Sequence, residues 1–81
     1  MSSESKYQSK IINKLKKDGW YVIKIISASP NGLPDILALK DGEKPYFIEV
    51  KAKTGRLSEI QKYRLKELKE LNFNAEALFS K

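Results

Sequence analysis

Asp35, Glu49 and Lys51 are the residues of this sequence whose types and spacing could do chemistry. Glu49 and Lys51 stand two apart in the run Ile48-Glu49-Val50-Lys51. In a strand, alternate side chains share a face. The carboxylate and the ammonium therefore point one way, while Ile48, Val50 and Ala52 point the other. Asp35 follows Pro34 and opens an otherwise apolar run, where a charge is costly to place. If that run pairs with the one containing Glu49, the start of one lies near the end of the other. Asp35 then sits beside Glu49 and Lys51. Two adjacent carboxylates resist ionising together unless a cation lies between them. Magnesium resolves that conflict and keeps sites for water and phosphate oxygens. A lysine one strand-step on can stabilise charge on a phosphate or orient the attacking water. The plainer alternative is an edge-strand ion pair worth roughly 0–1 kcal/mol. E-x-K alone is common by chance, and the position of Asp35 across a hairpin is what favours chemistry.

The elements that must position these groups follow from periodicity. Ser5 to Lys17 is predicted as a helix, with Tyr7, Ile11, Ile12 and Leu15 on one face. Ser5 with Gln8 resembles a capping box, and Gly19 suits a left-handed helix end. Trp20 to Ile26 is predicted as a strand and Ser27 to Pro34 as a loop. Strands are predicted over Asp35 to Leu39 and Tyr46 to Ala52, with a turn at Asp41-Gly42. The short connection makes the pair antiparallel. Ser58 reads as the N-cap of a second helix, traced by Ile60, Tyr63 or Arg64, Leu68 and Leu71. Asn74 to Phe79 is the last predicted strand. The order α-β-β-β-α-β implies an α/β or α+β fold, a small sheet with helices packed on it.

Composition narrows the chemistry. The 81 residues allow one domain, spanning residues 1–81, with a small core, so oligomerisation is expected. The chain has no cysteine and no histidine, which removes thiolate sites, the commonest metal ligand and the commonest general base. Any metal must be held by oxygen, which points to magnesium or manganese. A net charge of +6 and a pI near 9.6 suit a phosphate polymer as partner, although solubility alone also explains such a charge. Neither a signal peptide nor a transmembrane run is visible, so no membrane association and a cytoplasmic location are expected.

Gly32-Leu33-Pro34-Asp35-Ile36, then Phe47-Ile48-Glu49-Val50-Lys51, then Gly55-Arg56-Leu57-Ser58 and Gln61 together resemble the VRR-NUC nucleases of the PD-(D/E)XK superfamily. Glu4, Gln8, Leu15 and Gly19-Trp20 fit that family's first helix and strand. The resemblance spans nearly the whole chain in order, and stand-alone members of this length are typical of phages and mobile elements. It implies a restriction-endonuclease-like PD-(D/E)XK core. It also implies Mg2+- or Mn2+-dependent hydrolysis of DNA by a homodimer, often at branched structures such as four-way junctions or flaps. In that frame Asp35 and Glu49 hold metal, the Val50 carbonyl joins them, and Lys51 assists the nucleophile. The loop before Gly32 is shorter than in larger members and leaves little room for extra substrate-reading elements. The rival reading is a non-catalytic nucleic-acid-binding module on the same fold, since fold does not guarantee activity.

Gln61 has two readings. Ser58-x-x-Gln61 forms a good capping box. By the resemblance, a glutamine here faces the active site, and that catalytic role is the favoured one. Glu4 and Gln8 continue the apolar helix stripe in polar form, so both are candidates for a wet cavity, Glu4 at the metal. A carboxylate favoured by the helix N-terminal dipole explains Glu4 equally well. Arg56, Lys53, Gln8 and Lys10 are the expected DNA contacts. Lys10, with Lys14, Lys16 and Lys17, fits either phosphates or a solvated helix face, and Arg56 is the better phosphate candidate.

Overall fold

The structure is a computed structural model and describes residues 3–27 and 29–81. Ala28, inside the expected loop Ser27 to Pro34, lies outside the described residues. The elements are α1 (Ser3–Lys17), β1 (Tyr21–Lys24), β2 (Ile36–Leu39), β3 (Tyr46–Lys51), α2 (Glu59–Glu70) and β4 (Asn74–Phe79). This is the predicted α-β-β-β-α-β order. The sheet runs β1-β2-β3-β4, antiparallel at the first two pairings and parallel between β3 and β4. Among the described residues no helix is long and apolar enough to cross a membrane.

Local chemistry sets the boundaries. Lys16 and Leu15 carbonyls accept from the Gly19 and Trp20 amides, and Gly19 has φ +91°. That closes α1 in a Schellman motif. α2 ends the same way: Lys69 and Leu68 carbonyls accept from the Asn72 and Phe73 amides, with Asn72 at φ 69°. Asparagine is the non-glycine residue that tolerates this conformation best. α1 already includes Ser3, so Ser5 and Gln8 lie inside the helix and the capping box expected there is not its start. β1 is shorter than the predicted Trp20 to Ile26. The Trp20 amide is taken by the cap of α1, and its ring packs 5.8 Å from that of Tyr46.

The core is split by the sheet. On one face Leu15, Ile36, Ala38, Ile48 and Val50 are buried with the predicted α1 stripe Tyr7, Ile11 and Ile12. On the other, Leu65 and Leu68 of α2 meet Ala75, with Phe47 and Phe73 packed around them. The expected α2 face is therefore corrected. Ile60, Tyr63 and Leu71 are exposed, because docking on β4 through Leu65 and Leu68 sets the rotation of the helix. Ile60 instead lies on the loop before β2: a Cβ at Gly32 would fall 2.8 Å from Ile60 Cγ1 and 3.0 Å from its carbonyl oxygen. Gly32, at φ +85°, is required there for both conformation and space.

Candidate active site

The hairpin of β2 and β3 brings Asp35 and Glu49 together. Ile36 pairs with Ile48, so Asp35, one residue before β2, lies opposite Glu49. Asp35 is pinned at both ends. Its carbonyl oxygen accepts from the Ile25 amide at 2.7 Å, and its Oδ2 accepts from the Val50 amide at 2.9 Å. Glu49 is 2% exposed, although it sits on the α2 side of a strand that ends in a lysine. β3 is flanked by β2 and β4, so the edge-strand ion pair considered from sequence does not apply.

This setting raises the Glu49 pKa from 4.5 to about 8. Burial is the largest cause, followed by its hydrogen bond to Asp35 and then the Asp35 charge. The Lys51 charge opposes the rise, and the Glu4 charge adds to it. Near neutral pH, with no cation bound, Glu49 therefore holds its proton. A buried Glu49 that keeps its proton opposite Asp35 is part of a donor set into which a hard cation fits, by displacing that proton. Among the described residues no cluster of three or more Asp, Glu, His or Cys could hold a metal. The chain thus offers two carboxylates, a number that suits Mg2+, which keeps waters and substrate oxygens as its other ligands.

The remaining expected residues are distributed unevenly. Lys51 follows Glu49 on the same strand face, and its stem lies against Gly55, where a Cβ would be 3.4 Å away. Glu4 is half-buried and close enough to influence Glu49, but it does not complete a third carboxylate ligand. Gln8, also half-buried, lies one turn further along α1. Lys53 and Arg56 are exposed on the loop leaving β3. Lys10 lies apart from them, in a groove between α1 and the end of β4.

Gln61 makes the capping box in full. Its Oε1 accepts from the Ser58 amide at 2.9 Å, and Ser58 Oγ accepts from the Gln61 amide at 3.2 Å. The favoured reading of Gln61 as catalytic is thus set against a side chain whose oxygen already caps α2. Gln61→Ala is expected to cost about 1 kcal/mol of stability. Urea denaturation measures that cost, and a large loss of cleavage at unchanged stability would return Gln61 to the site.

Sequence reasoning missed Arg64. Its Nε donates to the Asn31 carbonyl at 2.8 Å, and its guanidinium lies 3.4 Å from Glu67. It ties α2 to the loop that delivers Asp35. The available signal was the ambiguity of the helix stripe at Tyr63 or Arg64: an arginine at an inward position needs acceptors there.

Compared with known proteins, residues 2–81 match the profile of the VRR-NUC domain. No curated protein matches the chain.

Proposed function

From the premise that this chain belongs to the VRR-NUC family, a nuclease family whose partner is DNA, we propose that it is a metal-dependent endonuclease with Asp35, Glu49 and Lys51 as its catalytic centre. The observation that carries the reading is Glu49, 2% exposed and holding its proton, placed opposite Asp35 and on the same strand face as Lys51. Asp35 and Glu49 would hold Mg2+ or Mn2+, with the Val50 carbonyl as a further oxygen. When bound, the cation supplies Lewis-acid neutralisation of phosphate charge. The chain's own residues do the rest. The Val50 amide fixes the Asp35 carboxylate, so the pair is organised before substrate arrives. The Lys51 ammonium meets charge developing on the phosphate or orients the attacking water. Arg56 and Lys53 hold flanking phosphates and set the register of the strand.

The substrate within this reading is branched DNA, flaps or four-way junctions. Duplex, flap and junction substrates compared with Mg2+ under single-turnover conditions test it. Faster cutting next to the branch is expected, and equal rates on plain duplex would contradict branch selectivity.

The active species in this reading is a homodimer. Tyr21, Ile23 and Leu39 are exposed on the α2 side of β1 and β2, and Ile60, Tyr63 and Leu71 are exposed on α2 itself. Such a set of apolar groups on a small domain favours a self-complementary contact. Sedimentation at micromolar concentration is expected to give twice the 9.3 kDa chain mass. A monomer with full cleavage of both strands would contradict it.

A further inference from the structure

α1 packs on β1 and β3, and a groove runs between its flank and β4. Two adjoining cavities of about 560 and 680 Å³ share Tyr7 and Lys10 and run along that flank. Lys6 and Ser80 line the first, while Lys14, Leu78, Trp20 and Tyr46 line the second. The rim of this groove is cationic and its floor is aromatic and apolar. Lys6, Lys10 and Lys14 recur every fourth residue, so they stand about 6 Å apart along one side of the helix. None of the three has an ion pair among the described residues. One end of the groove lies at the end of β3, where the Ser80 amide donates to the Lys51 carbonyl at 3.0 Å; Glu49 and Lys51 face the other side of the sheet, so a strand reaches them by rounding that end. Asp18 closes the other end and repels phosphate.

We propose that the groove between α1 and β4 binds a single-stranded nucleic-acid segment continuous with the strand at the active site. This rests on the nuclease reading and gives it a second contact surface. Phosphates lie along Lys6, Lys10 and Lys14, and unpaired bases lie over Tyr7 and the apolar floor. Lysines spaced along a groove with ring faces beneath are the chemistry that takes single strands, whose bases are free to stack. A duplex presents phosphates but no base faces, so it uses the rim and leaves the floor uncovered.

Binding is measured by anisotropy in EDTA, with a labelled thymidine oligonucleotide and with a blunt duplex, across a salt series. Lys6→Ser combined with Lys14→Ser is expected to weaken oligonucleotide binding at least tenfold. It should also lower the slope of log K against log[salt] by about 1.4, two contacts at about 0.7 each. Lys66→Ser with Lys69→Ser removes the same charge from α2 and is expected to change the slope less. A 5-bromodeoxyuridine oligonucleotide should cross-link at Tyr7. Equal losses for both lysine pairs, equal losses for duplex and oligonucleotide, or cross-links confined to other residues overturn the proposal. So does an acidic amphipathic peptide that binds where the oligonucleotide does not. The binding readout needs no cleavage. Loss of the nuclease reading would appear as intact oligonucleotide binding without cutting, and loss of the groove as cutting without the lysine effect.

Discussion

The metal-free protein is expected to lose stability as pH rises from about 5 to about 8, and Mg2+ or Mn2+ is expected to restore it most at the upper end. The Glu49 pKa is raised in the folded chain to about 8 from 4.5. Between those values the folded state holds a proton on Glu49 that the unfolded state has released. Stability therefore falls with rising pH across that window and is lowest above the folded pKa. A cation bound by Asp35 and Glu49 displaces the same proton, so its stabilisation grows over the same range. Thermal unfolding in EDTA and in Mg2+, at about pH 5 and about pH 9, measures the effect. The gap between the two curves should widen with pH. Glu49→Gln should raise the metal-free midpoint at high pH and remove the gap. A gap independent of pH, or one that Glu49→Gln leaves intact, contradicts the assignment.

Asp35→Asn is expected to lower cleavage by roughly a thousandfold or more, since charge stabilisation by a cation is worth several kcal/mol and each 1.4 kcal/mol or so is tenfold. Affinity for DNA in EDTA should stay equal or increase, because the carboxylate pair repels phosphate when no cation is present. Lys51→Ala separates differently. It removes a positive charge, so cleavage should fall sharply while affinity falls modestly. A pure binding module has no cleavage to lose. Single-turnover rates and filter binding for wild type and both variants distinguish these cases. Wild-type cutting by Asp35→Asn would remove the central residue of the account.

Most of the arrangement was legible because it rests on short-range rules. Strand alternation placed Glu49 with Lys51, the hairpin placed Asp35 opposite them, and Gly19 marked the end of α1. The full burial of Glu49 was not legible: it depends on β4 joining as a parallel neighbour across α2. That long-range pairing turns a half-exposed strand into a central one. The phase of α2 differs from its spacing pattern for a similar reason. Ile60, Tyr63, Leu68 and Leu71 are all plausible inward residues by spacing, and docking at Leu65 and Leu68 decides between them. The Arg64 tie to Asn31 joins residues far apart in sequence, so no periodic pattern carries it. Gln61 was a genuine competition between a local rule and a family expectation, and the local hydrogen bonds formed.

The most direct test of the central claim is cleavage of a labelled four-way junction by the purified wild-type chain as divalent cation is removed and returned. Cutting is expected in Mg2+ or Mn2+, none after chelation, and recovery when excess metal is added back. Asp35→Asn prepared in parallel should stay inactive throughout, which rules out a contaminating nuclease. Undiminished cutting in excess EDTA would contradict the account.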